Sequence, residues 1–167
     1  YLVSAGSSSS IFGDLENKSN LAEAIISASY NSVEDNLPDY LSDLITSKEN
    51  SLLEELDDFN IEVKFRALLS NSVAFVTMQR CGINPYDYFS IDDFRGIVEF
   101  NTLDTLSRIG AATSDIAENN LREIHNTINK LQIKEKKLNR TFEENKKVDD
   151  NVIKENERSV NYELWNL

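Results

Sequence analysis

The chain is poor in the residues that do metal and covalent chemistry. Its 167 residues hold one cysteine and one histidine, so no Cys/His set with zinc-ligand spacing exists. One cysteine also excludes an internal disulfide. Cys81 lies on an apolar helical stretch and reads as a packed, inert thiol rather than a nucleophile. The five glycines form no loop of the kind that cradles phosphate. No apolar run approaches the roughly eighteen residues needed to cross a bilayer. No signal-peptide pattern is recognisable, Tyr1 in place of Met points to a trimmed start, and a cytosolic protein is expected. Asn17-Lys18-Ser19 and Asn139-Arg140-Thr141 fit the glycosylation pattern, but matches this short arise by chance.

Basic residues are also scarce. Against 29 Asp and Glu stand 17 Lys and Arg, a net charge of −12. The imbalance lies in residues 1–129, where 8 basic residues face 21 acidic ones, a net of −13. Residues 130–167 hold 9 and 8, a net of +1. Such a body repels phosphate backbones, which argues against direct nucleic-acid binding. Its acidity serves either plain solubility or a surface that imitates nucleic acid and docks on a basic protein groove.

At 40% hydrophobic, the chain has enough apolar material for one domain with a sizeable core. Residues 1–12 place "YLVS" and "IF" around "AGSSSS", which fits either a β-hairpin with a loose turn or a frayed terminus. Asn20 and Glu23 form a capping box that starts a helix over about 21–30. Pro38 suits the first turn of a short helix through Ile45, and "ENSLLEELDDF" predicts an acidic helix. Between Ile61 and Cys81, apolar residues at 65, 68, 69, 73 and 76 keep helical spacing, widened by Phe75 and Met78, and Gly82 supplies the stop. Ser90 opens a short helix with Phe94, Ile97 and Val98. Thr102 caps the longest helix, with a stripe through 103, 106, 109, 116, 117, 121, 124, 128 and 131. Gly110-Ala111-Ala112 reads as a close helix contact.

After Ile133 the periodicity gives way to mixed charges, read as a solvated helix end and a flexible tail. The terminal "VNYELWNL" either docks back on the body or serves as a partner-binding peptide. His125, beside Ile124, reads as a partly exposed helix residue, and nothing near it in sequence completes a triad. Glu54-Glu55, Asp57-Asp58 and Asp92-Asp93 are adjacent pairs whose side chains diverge by about 100° on a helix. They read as solvated faces rather than acid/base pairs.

The segment "RALLSNSVAFVTMQRCGINPYDYF…FNTLDTLSRIGAATSDIAENNLREI", Arg66 to Ile124, resembles the C-terminal half of the ArdC/ImmA-IrrE-like zincins. These domains occur in antirestriction proteins and in large proteins of conjugative elements. The motifs that carry the resemblance are "SVAF", "RCGINPYDYF", "FNT" and "GAATSDIAENNLREI", in order over more than a third of the chain. The family's zinc site uses a His-Glu-x-x-His helix and glutamates on a later helix. Here "AIISASYN" is the best counterpart of the first, with Ser27 and Asn31 at the histidine positions and Ala28 at the base. Ala67, Leu69 and Asn71 stand for three glutamates. One histidine cannot supply two ligands wherever the alignment falls.

The expected fold is mostly α, a zincin-like helical domain over 1–133 whose N-terminus is either a short β-hairpin or frayed, followed by a charged tail over 134–167 with a C-terminal apolar segment. The expected function is non-catalytic, with no cofactor. The resemblance implies a mobile-element binding protein of antirestriction or anti-CRISPR type, docking on a host nuclease with a basic groove. The alternative is an inert scaffold or regulatory module of a larger helicase or methyltransferase protein. The candidate contact residues are Glu49, Glu54, Glu55, Asp57, Asp58 and Glu62.

Overall fold

Apolar and small side chains recur every three or four residues from Ala22 onward, and the first helix follows them. The structure, a computed structural model, describes residues 21–164, with side chains through 142. Residues 1–12, where a hairpin or a frayed terminus is expected, the Asn20 half of the first capping box and the Trp165–Leu167 end of the apolar terminus lie outside the described residues. The fold is mostly α, and no strand occurs among the described residues. The described residues form three α-helices, α1 (Leu21–Thr46), α2 (Asp58–Arg80) and α3 (Leu103–Leu164), and 3-10 segments at Leu52–Glu55, Pro85–Asp87 and Ile91–Glu99. No helix among the described residues is long and apolar enough to cross a membrane.

Pro38 does not open a second helix. It lies inside α1, which runs unbroken from Leu21 to Thr46. Proline removes one backbone donor and crowds the carbonyl four residues back, at about 3 kcal/mol. Val33, Leu37 and Leu44 on either side of it are buried in one core cluster. Each such side chain contributes roughly 1.5–3 kcal/mol, so burial outweighs the proline.

The acidic helix expected over "ENSLLEELDDF" is also replaced. Ser51 accepts the Leu53 N–H at 3.2 Å and caps only the short segment Leu52–Glu55. Leu56 is extended. Asp57 then caps α2, its carboxylate accepting the Asn60 N–H at 2.8 Å. Two local caps within six residues leave no register for one helix.

The end of α2 is as the glycine signal predicts. Gly82 adopts φ +77°, its N–H donates to Gln79 O at 3.2 Å, and the Ile83 N–H donates to Met78 O at 3.0 Å. This pair of bonds is a Schellman stop. Ile83 then lies against the Ala22–Ile25–Met78 cluster. The "FNT" motif works next. Phe100 is fully buried, its ring centroid 6.3 Å from that of Phe65. Asn101 Oδ1 accepts the Leu52 N–H at 2.9 Å. Thr102 caps α3, taking the Thr105 N–H at 3.3 Å.

The chain divides into two units between His125 and Asn126. In the first, α1 packs along α2, and Ile109, Ala112, Ile116 and Ala117 of α3 join their core. Polar contacts join α3 to α1: Tyr40 Oη donates to Asp115 at 3.2 Å, and Arg108 reaches Asp43 at 3.6 Å and, just past the end of α1, donates from Nε to Ser47 Oγ at 3.2 Å. The small-residue patch is narrower than expected. Ala112 is fully buried, whereas Ala111 is exposed and a Cβ at Gly110 would meet nothing within 4 Å. In the second unit, the helix continues through Leu164, past the fading of the pattern at Ile133. Its side chains at Ile128, Ile133, Leu138 and Phe142 are exposed.

Candidate functional site

The expected acidic contact residues do not share one helix face, because Leu56 breaks the stretch. Several are committed to structure. Glu54 accepts the Asn50 N–H at 2.9 Å, where Asn50 takes a positive φ of 61°. Asp57 caps α2, and the hydrogen bonds from the Asn60 backbone and side chain hold its carboxyl below the usual range. Asp58 pairs with Lys48 at 3.2 Å. Glu62 pairs with Arg66, which also meets Glu34 at 2.8 Å. Glu49 and Glu55 are exposed and take no part in these bonds.

The basic residues of the body are committed in the same way. Between 21 and 125 there are 7 Lys and Arg against 19 Asp and Glu. Lys64 meets Glu99 at 2.8 Å, Arg95 meets Asp92 at 2.7 Å, Arg108 meets Asp43 at 3.6 Å and Arg122 meets Glu118 at 2.7 Å. With Lys48 and Arg66, all but Arg80 are partnered by carboxylates of this chain. These pairs engage Glu34, Asp43, Asp58, Glu62, Asp92, Glu99 and Glu118, and the surplus of carboxylates makes the exterior field negative.

A second feature escapes the sequence pattern. The Gly82 stop turns the chain back so that residues 85–99 cover the second half of α2. Ser72, Phe75 and Val76 of α2 then face Tyr86, Phe89, Ser90, Ile91 and Phe94 across an open groove of about 560 Å³. The Phe75 ring is edge-on to Tyr86 (5.3 Å, 86°) and to Phe94 (5.6 Å, 89°), with Phe89 5.9 Å from Phe94. Edge-to-face contacts favour this arrangement beyond the area buried. Its far wall is a 3-10 run of nine residues, long for that geometry, and three ties hold it. Asn71 Nδ2 donates to Asp93 O at 2.9 Å, Lys64 Nζ to Glu99 at 2.8 Å, and the Ser90 N–H to Asp93 Oδ2 at 2.7 Å. That last bond and the Ser90 hydroxyl keep the Asp93 carboxyl below its usual range. The polar groups lining the groove are the hydroxyls of Ser72, Tyr86 and Ser90.

The positions that the zincin resemblance assigns to metal chemistry serve other ends. Ala28 is buried, while Ser27 and Asn31 are half-buried on α1. Leu69 is fully buried in the core, Ala67 is exposed, and Asn71 binds the Asp93 carbonyl. Among the described residues, no three His, Cys, Asp or Glu side chains converge as metal ligands would. His125 is exposed. Burial pushes the half-buried Cys81 thiol up, away from the thiolate.

Compared with family models, with curated proteins and with solved structures, the chain finds no match. The zincin resemblance stands on its residues alone.

The groove is not legible in the sequence because its parts carry other signals. Phe75 reads as a widened core stripe, and "NPYDYF" reads as loop punctuation. The spacing of aromatics at 75, 86, 89 and 94 around a glycine stop was the available clue.

Proposed function

We propose that this chain is a non-catalytic binding protein whose acidic exterior docks on the basic groove of a nucleic-acid enzyme. The supporting observation is the pairing of Lys48, Lys64, Arg66, Arg95, Arg108 and Arg122 with carboxylates of the same chain. Cations spent internally leave little for phosphate, and the surplus carboxylates present the charge sign of nucleic acid. The zincin resemblance supplies the biological setting: a mobile-element protein that disables a host nuclease of restriction or CRISPR type. Ser27, Asn31, Leu69 and Asn71 at its ligand positions make the reading one of a retained body without the metal chemistry. A scaffold role in a larger helicase or methyltransferase protein draws on residues 126–164, a helix of mixed charge suited to a spacer.

Two measurements test this reading. Metal analysis of the purified chain is expected to give no stoichiometric zinc, and one tightly held zinc per chain would overturn the lost-site reading. Affinity capture from a bacterial extract is expected to retain a nuclease. Recovery of helicase or methyltransferase components without a nuclease would favour the scaffold.

A further inference from the structure

We propose that the groove between α2 and residues 85–94 takes a basic segment of a partner protein, which inserts one large apolar side chain between Phe75, Tyr86, Ile91 and Phe94. The proposal rests on the protein-binding reading above and adds the place and the chemistry of the anchor. A volume of about 560 Å³ falls within the range of ligand-binding clefts, roughly 300–1,000 Å³, and admits an aromatic side chain. Tyr86 and Ile91 stand 76% and 86% exposed, leaving their apolar surface to be covered. The walls are already held by the Asn71, Lys64 and Ser90 bonds, so little order has to be imposed on binding.

Charge selects the occupant. From Ile83 to Phe94 the chain carries Asp87, Asp92 and Asp93 and no basic residue. All three aspartates are exposed, and among the described residues only Asp92 has a cation beside it, Arg95 at 2.7 Å. An anionic ligand or a nucleic acid would meet these carboxylates unfavourably. A second copy of this chain brings the same negative body. A segment with lysine or arginine on both sides of its anchor complements the rim, which speeds encounter and suppresses wrong partners.

The test uses the full chain and three amidated peptides. The first is Lys-Lys-Gly-Trp-Gly-Lys-Lys, the second has Ala in place of Trp, and the third has Glu in place of every Lys. Calorimetry gives affinities, and amide shifts in NMR give the site. The first peptide should bind about tenfold or more tighter than either other, a margin typical of one buried aromatic anchor. It should shift the amides of residues 72–76 and 86–94. Ile91→Ser, at an 86% exposed position, should weaken it about fivefold or more without moving the unfolding midpoint, and Tyr86→Ser should weaken it as much while lowering the midpoint slightly through loss of the Phe75 contact. Equal binding of the Ala peptide would overturn the groove while leaving the acidic exterior as the binding surface. Equal binding of the Glu peptide would overturn the charge argument. Failure of all three peptides to bind rejects the groove, whatever affinity capture recovers. A concentration-dependent dimer abolished by Ile91→Ser would assign the groove to a second copy and overturn the proposal.

Discussion

Ser32 and Asn120 form a polar bridge buried between α1 and α3, with Ser32 Oγ 2.7 Å from the Asn120 amide oxygen and 2.8 Å from Ala28 O. A hydroxyl has one hydrogen and cannot donate to both. Turning the amide end for end lets Nδ2 donate to Ser32 while the hydroxyl donates to Ala28, which satisfies both contacts. Asn120→Ala is expected to cost about 1–3 kcal/mol in urea unfolding, because it strips a partner from a buried polar group. Ser32→Ala with Asn120→Leu should recover most of that loss. A change within about 0.5 kcal/mol for Asn120→Ala, ordinary for surface positions, would show the bridge to be idle. Asp57 gives a pH test. Its folded pKa is depressed by the Asn60 bonds, so its stabilising contribution is present above the unfolded value near 4 and is lost as pH falls through the folded one. Asp57→Asn keeps a capping oxygen and removes the titration. The acid limb of the stability profile should become shallower, and an unchanged limb would remove Asp57 from the account.

Elements were legible where burial follows a helical period. The apolar residues at 65, 68, 69 and 73 are all buried on α2, the Gly82 stop forms as a Schellman turn, and Thr102 caps α3. Pro38 misleads because its local preference for a helix start is overridden by burial on both flanks. The acidic stretch misleads because the Ser51 and Asp57 caps compete with a single helix. The groove was not legible because it needs residues 72–76 and 86–94 brought together by a turn. Within α3, the small-residue patch can be dissected by substitution. Ala112→Leu should overpack a fully buried position at about 1–3 kcal/mol. Ala111→Leu, one residue earlier and exposed, should leave the midpoint nearly unchanged. Gly110→Ala has open space and should stabilise by about 0.4–1 kcal/mol through the unfolded chain. Equal effects at 111 and 112 would contradict the packing of this face.

At the scale of the molecule, acidity was legible from composition, but its distribution was not. Sequence could not say that six basic side chains of the body are paired within it, or that Glu54, Asp57, Asp58 and Glu62 have structural duties. Reversing those four would damage caps and ion pairs along with any binding surface. Glu49 and Glu55 carry no such duty, so Glu49→Lys with Glu55→Lys isolates the field. The most direct test is whether a nuclease captured by this chain can hold duplex DNA and the chain at the same time. Mutual exclusion is expected, with binding that weakens as salt rises because exposed charges are screened beyond about 8 Å at physiological ionic strength, and with reduced affinity for the Glu49→Lys, Glu55→Lys variant. A stable ternary complex, with affinity unchanged by salt and by charge reversal, would contradict it.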